Sequence, residues 1–382
     1  MFFSKKPAER LDLILDIQSS VVRGALMRVQ AGAIPHIVWT KSIDVAYRAQ
    51  GGSAYLIKMA TRAVEDIAGA AHAYVKLTHS KDALPRRISS IHCALSSPWI
   101  VSRARTVSQE FSKQTVINRA RVAEIIKAER KELASGDEKG LSSIEEKIFE
   151  VRLNGYSVAE WEGAAAKSLE ASFAVSLAGT RMIERFKEAL RRANAREEAH
   201  FHSSLLLQYT GIGLAEPNNG PYVLVHVHGE LTDLVVADSH SCVLFGSHPL
   251  GIRSAVRKIA HALKLTDGTA DSLLSLHENG KLDTAHNQPA AKVLADVARG
   301  WRSECAKLLS LVPSGRLPSS AIVLARTHED FFSAALKEEP TSLHPRNLSA
   351  DEFEKLVAFD PSAERLRTTA LYAIAVTNLE TL

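Results

Sequence analysis

The chain carries one strand pattern twice, and that repeat constrains its fold more than any other feature. Leu11 to Met27 reads LDLILDIQSSVVRGALM, and Tyr222 to Asp238 reads YVLVHVHGELTDLVVAD. Each copy is an apolar strand, a short polar break and a second apolar strand, followed by a looser connection, a third strand and a helix. In the first copy the spacing predicts strands over Leu11–Ile17, Val21–Arg28 and His36–Val45, with a helix from about Gly52. In the second it predicts strands over Tyr222–His228, Thr232–Ala237 and Ser241–Gly246, with a helix from about Gly251. Runs rich in Val, Ile and Leu, closed by Gly, Ser or Asp, behave as strands joined by tight turns. Ala60, Val64, Ile67 and Ala71 share one helical face, as do Ile252, Val256, Ile259 and Leu263. Two copies separated by about half the chain fit two similar halves facing a cleft rather than a solenoid.

At 382 residues the chain is too long for one simple core. Its formal charge of +4 is small and its basic residues are interspersed with acidic ones, so no nucleic-acid footprint is expected. Cys93, Cys242 and Cys305 are odd in number and sit in apolar surroundings. That pattern predicts buried thiols in a reducing compartment, hence a cytoplasmic protein. No apolar core follows MFFSKKPAER to make a signal peptide, and no run approaches the ~18 apolar residues of a membrane span. Phe2, Phe3, Lys5 and Lys6 read as a frayed terminus, with weak contact to a membrane surface as the alternative.

A segment of different character lies between the repeats. From Arg87 it runs strand (ISSIHCALS), polar strand (IVSRARTVSQEF), helix (about Val116 to Leu133), a break at Ser135 to Ser143, strand (EEKIFEVRL), an Asn154-Gly155 turn and strand (LEASFAVSLA). Asn-Gly suits a turn that needs positive φ, and Tyr156 beside it is expected to pack on the sheet. A helix from about Thr180 to Ala193 and a strand-like stretch, His200 to Gln208, lead to a linker at Glu216 to Pro221. Ala290, Leu294, Val297, Trp301, Cys305 and Leu308 then follow helical spacing, and Lys337 to Asn347 reads as a polar loop.

These residues resemble the FtsA/PilM-like branch of the actin-like ATPases, over nearly the whole chain. The family's first phosphate loop ends an apolar strand with Asp-Ile-Gly-Thr/Ser, where this chain has Asp16-Ile17-Gln18-Ser19. Its second loop reads approximately Asp-Val-Gly-Gly-Glu-Thr-Thr-Asp, matched by His226-Val227-His228-Gly229-Glu230-Leu231-Thr232-Asp233. The inserted segment, with Ser96-Ser97-Pro98-Trp99 and Leu153-Asn154-Gly155-Tyr156, looks like the family's SHS2-type subdomain, used for assembly contacts. Arg365 to Leu379 resembles the last core helix of actin-like proteins. The fold implied is α/β, with duplicated actin-like (ribonuclease H-like) halves around a cleft and a small α+β SHS2-type subdomain inserted in the first. The expected boundaries are 1–85 and 181–216 for the first half, 86–180 for the insertion, 217–345 for the second half with an outer subdomain about 265–290, and 346–382 for a helical return.

The chain departs from the family at its nucleotide motifs. A phosphate-binding hairpin needs glycine so that backbone N–H groups can approach the anion. Gln18 and His228 stand at those glycines, and His226 replaces an acidic residue expected near the metal. Arg326 and Thr327 replace the Gly-Gly pair that follows the strand Ala321 to Ala325. The expected site is therefore a degenerate nucleotide cleft of Asp16, Gln18, Ser19, His226, His228, Gly229 and Arg326, with no catalytic residue and no metal site. No cofactor is expected, with ATP and Mg²⁺ as the alternative.

Asp16 either organises metal water, as in the family, or caps the turn through backbone hydrogen bonds. Arg326 either bridges the halves through Asp16, Glu230 or Asp233, or lies on the surface after its strand. His226 with His228, and His200 with His202, each share a strand face, but two ligands do not make a metal site. No Gly-x-Ser-x-Gly elbow supports a hydrolase, and no distinctive base supports a sugar kinase.

The resemblance implies an adaptor or scaffold of FtsA type in bacterial cell division, with a PilM-like component of type IV pilus assembly as the alternative and an ATP-binding actin-like ATPase as the other class. Its partners would be itself and a membrane-associated division or pilus protein, engaged through the insertion around Trp99 and Tyr156. It would be a pseudo-ATPase, reaching the inner face of the membrane through that partner.

Overall fold

The computed structural model of the chain describes residues 9–46, 52–78, 84–134, 140–238, 241–283, 287–313, 315–348 and 353–379. Phe2, Phe3, Lys5 and Lys6 lie outside them. The first repeat forms β1 (Glu9–Ile17), β2 (Val21–Gln30), β3 (His36–Asp44) and α1 (Gly52–Thr78), followed by β4 (Ser90–Leu95). The insertion contributes β5 (Ile100–Val116), α2 (Arg119–Ala134), β6 (Leu141–Leu153), β7 (Tyr156–Ser157) and β8 (Ala165–Gly179). Then come α3 (Thr180–Arg192), β9 (Ala199–Ser203) and α4 (Ser204–Ala215).

The second repeat forms β10 (Tyr222–Val227), β11 (Thr232–Ala237), β12 (Cys242–His248) and α5 (Ile252–Leu263). It continues through α6 (Asp267–Glu278), α7 (Gln288–Leu309), β13 (Ser320–Ala325), α8 (Glu329–Leu336) and β14 (His344–Arg346). A return of β15 (Ala358–Phe359) and α9 (Arg367–Thr377) follows.

The described residues form three sheets. The first has the order β15-β3-β2-β1-β4-β9, the second β12-β11-β10-β13-β14 and the inserted one β5-β8-β6-β7. In each half the two repeat hairpins are antiparallel and the central strand takes its other neighbour in parallel, β4 beside β1 and β13 beside β10.

Alternation along the strands builds the layers. Leu11, Leu13, Leu15 and Ile17 bury one face of the first sheet with α1 and α3, where Val64, Ile67 and Phe186 meet them. Ile14, Ala25 and Met27 on the opposite face join Leu224, Val235 and Ile322 of the second sheet around α4 and α9. That shared core places both hairpin tips on one cleft. Val223, Val225, Trp301 and Phe332 close the outer side of the second sheet. In the insertion, Val122 and Ile126 of α2 cover Phe173, Val175 and Leu177.

Several expectations are corrected. The strand at 88–96, assigned to the insertion, pairs with β1 and belongs to the first sheet. Gln208 lies in α4 because Leu205, Leu206 and Leu207 are buried on successive sides of a helix between the halves, a setting without strand periodicity. The loop at 337–347 contains β14, paired with β13. Asn154 and Gly155 do adopt positive φ, 52° and 84°, but Tyr156 is 78% exposed instead of packing on the sheet. All three cysteines are free and buried.

Candidate functional site

The two hairpins meet tip to tip. Gly229, in the turn between β10 and β11, packs on Ser20 between β1 and β2 so closely that a Cβ there would overlap Ser20 Oγ and Cβ. The turn's own carbonyls receive the first N–H groups of α5: Ile252 N donates to His228 O at 2.8 Å and Arg253 N to Gly229 O at 2.7 Å. These helix-terminal donors are therefore already satisfied.

Beneath the tips lies a buried polar chain. Asp16 and Arg23 face each other across β1 and β2, and Arg23 Nη1 donates to Asp16 Oδ2 at 3.0 Å. Gln18 Nε2 donates to the same oxygen at 2.8 Å, and the Tyr372 hydroxyl of α9 donates to Oδ1 at 3.4 Å. Gln208 Nε2 of α4 lies 3.0 Å from the Tyr372 oxygen and 2.7 Å from His226 Nδ1. Burial, then the positive charges of His228 and Arg23, push the His226 pKa well below the usual imidazole value. The ring stays neutral, the state in which Nδ1 accepts from Gln208.

The chain then returns to the first half. The His226 and His228 rings are 4.0 Å apart between centroids. His228 Nε2 sits 2.9 Å from Asp233 Oδ2, which also accepts Ser97 N, just after β4, at 3.0 Å. Burial would raise the Asp233 pKa, but the His228 charge and the hydrogen bonds from His228 and Ser97 outweigh it and hold the carboxyl below the ordinary range.

Above this floor is a cavity of about 460 Å³. Gln18, Ser20, Arg23, His226, His228 and Gly229 line its base, and Arg253, Arg326, Thr327, Arg365 and Arg367 lie around it. The structure thus gathers most of the sequence-predicted cleft residues. Two stand apart: Asp16 is buried beneath the base, and Ser19 is buried with its Oγ unpartnered among the described residues.

A metal-bound nucleotide does not fit these residues. Mg²⁺ requires oxygen ligands in near-octahedral array, yet both Asp16 oxygens already accept from protein donors and the Arg23 cation stands beside them. The acidic position of the family is an imidazole engaged with Gln208. Among the described residues no group of three or more His, Cys, Asp or Glu could hold a metal.

Among the described residues Asp16 takes side-chain donors and no backbone bond of a turn cap, with Arg23 registered opposite it. Arg326 does not reach Asp16, Glu230 or Asp233. Those carboxylates are held by Arg23, Arg257 and His228. It pairs instead with Glu364 at 3.4 Å, and Glu364 is tied to β3 through Thr40 and Ser42. The two expected contact residues separate as well. Trp99 is 4% exposed and packs edge-on against Phe186 with centroids 5.9 Å apart, so it is core, whereas Tyr156 stands at the tip of the inserted sheet.

Arg23, Gln208, Tyr372 and Ser97 were not among the cleft residues expected from sequence. Arg23 had a signal: counting back from a turn that pairs Ile17 with Val22 sets residue 23 opposite residue 16. Gln208 and Tyr372 reach the cleft on helices remote in sequence and had none. His328 was also missed. It clasps the turn after β13 to α6, with Nδ1 2.6 Å from Glu278 and Nε2 3.0 Å from Asp271. His200 and His202 are joined by His92, whose Nδ1 is 3.3 Å from His202 Nε2. Burial first, then the neighbouring His202, His200 and Arg10 charges, lower the His92 pKa to about 3.

No protein-family model matches the chain, and no curated protein matches it by sequence. Among solved structures, one titled a PilM–PilN type IV pilus biogenesis complex is similar at 14% identity and a TM-score of 0.63, covering 96% of both chains. The ethanolamine utilization protein EutJ from Carboxydothermus hydrogenoformans is similar at 11% identity and a TM-score of 0.46, over 96% of this chain and 90% of that one. A Bacteroides thetaiotaomicron protein of actin-like ATPase fold and unknown function matches at 9% identity and a TM-score of 0.35, over 97% and 98%. With its paired α/β halves around a common cleft, the chain has an actin-like fold, shared with the protein of the PilM–PilN structure.

Proposed function

We propose that the chain is a non-hydrolysing actin-fold adaptor that works by protein contact, in the manner of PilM within a type IV pilus assembly. The observation that carries the non-hydrolysing part is the Arg23 guanidinium on Asp16, 3.0 Å away, with Gln18 and Tyr372 on the same carboxylate. A tethered cation occupies the charge that a hydrated metal would otherwise neutralise. The polar chain through Tyr372, Gln208, His226, His228 and Asp233 to Ser97 ties the halves together without a ligand.

Of the assemblies expected from sequence, the pilus is preferred over division because the similar fold was solved as a PilM–PilN complex. No helix among the described residues is long and apolar enough to cross a membrane, which suits recruitment by a membrane-associated partner. The insertion, with Tyr156 exposed at its tip, remains the proposed contact surface.

Thermal unfolding and phosphate release with millimolar Mg-ATP test the first part. The expected results are no shift and no release above buffer. Ligand at ~100 times its Kd would add about 2.7 kcal/mol of stability, so a shift of several degrees abolished by Asp16→Ala would overturn the reading. For the adaptor role, a photo-crosslinker at position 156 in cells should capture the cytoplasmic segment of a membrane protein. Crosslinks to no protein would remove the insertion as the contact surface.

A further inference from the structure

Although a metal nucleotide does not fit, the cleft is not filled. Its cavity of about 460 Å³ lies within the roughly 300–1,000 Å³ of small-molecule pockets. Five of its wall residues are arginines, Arg23, Arg253, Arg326, Arg365 and Arg367, against three carboxylates, Asp44, Asp271 and Glu329, so the wall favours an anion.

The arginines differ in how firmly they are held. Arg367 closes on Glu329 with two contacts of 2.6 Å, and Arg253 reaches Val45 O and Asp44 at 3.0 and 2.9 Å. Among the described residues Arg326 and Arg365 rest only on Glu364 at 3.4 Å and Glu354 at 3.5 Å, and both arginines are exposed. Exposed pairs of this kind add little to stability, so either guanidinium can turn to a better acceptor. At the base, Arg23 Nε and His228 Nδ1 are buried and have no partner among the described residues. Buried polar atoms left in this way call for an unseen ligand, ion or water.

We propose that the cleft binds a small oxyanion of the phosphate or carboxylate class without a metal, its charge met by the forks of Arg326 and Arg365. A guanidinium offers paired N–H donors to two oxygens of one group, so no bridging cation is needed. The proposal rests on the cleft's misfit with a metal nucleotide and not on the adaptor role.

The test is isothermal titration of the full chain in EDTA with inorganic pyrophosphate and with citrate, at ionic strength matched by sodium chloride. Saturable binding is expected, weakened at least 10-fold in Arg326→Ala/Arg365→Ala. Both positions are exposed, so the variant should unfold at the wild-type temperature. Arg326→Lys/Arg365→Lys keeps the charge but loses the fork, and should bind more weakly than wild type and more tightly than the alanine pair. Tighter pyrophosphate binding assigns phosphate chemistry, and tighter citrate binding assigns carboxylate chemistry. Absence of saturable heat, or equal affinity in wild type and the alanine pair, overturns the site and leaves the adaptor reading standing. Binding of Mg-ATP that vanishes in EDTA overturns both.

Discussion

Arg23 and Asp16 form a buried ion pair, 3.0 Å between Nη1 and Oδ2, from residues directly opposite each other on β1 and β2. The pair fixes the Asp16 carboxylate within one hairpin, beneath the base of the cleft. Removing only the cation leaves a buried charge without its partner, which costs about 3–5 kcal/mol. Arg23→Ala should lose stability of that size in urea unfolding. Asp16→Asn in the same chain should restore part of it, with a coupling of about 1–3 kcal/mol. A loss below 1 kcal/mol for Arg23→Ala would show that the pair does not hold the hairpin.

The hairpin tips should separate when volume is added between them. Gly229→Ala places a Cβ against Ser20, and overpacking of this kind costs about 1–3 kcal/mol. Ser20→Gly removes the atoms it meets, so the double variant should recover most of the loss. Failure of that rescue in denaturant unfolding would count against tip-to-tip contact.

Trp99 and Tyr156 should respond in opposite ways. Truncating buried Trp99 to Ala should cost about 3–5 kcal/mol, since it packs on Phe186 in the first core. Tyr156→Ala, at an exposed tip, should stay within about 0.5 kcal/mol of wild type while reducing partner capture. Equal stability of the two variants would place Trp99 outside the core.

Acid should destabilise the protein well above the carboxylate range. The His92 pKa is lowered by burial and by neighbouring His202, His200 and Arg10 to about 3, and the His248 pKa, chiefly by burial, to about 4. A depressed histidine leaves the unfolded chain binding the extra proton. Its contribution is complete above pH ~6.5 and is lost as pH falls toward the folded value, at about 1.4 kcal/mol per pH unit for each group. Urea midpoints at pH 7.5, 6 and 5 should therefore fall steadily. His92→Gln should flatten the decline by about one such increment, and an unchanged slope would move the effect elsewhere.

The sequence by itself determined the repeated strand–turn–strand device, the helix phases and the turn at Asn154-Gly155, because local periodicity and backbone sterics govern them. It also singled out the cleft residues, whose changed chemistry stands at fixed offsets from recognisable strands. Tertiary structure alone decided what those residues do. Asp16 meets Tyr372 from a helix 356 positions later, and His226 meets Gln208 from a segment whose unbroken apolar run reads equally as strand or helix. Trp99 faces the core and Tyr156 the solvent although both lie in the segment expected to make contacts, since burial depends on which surfaces the folded layers bring against them and not on side-chain type.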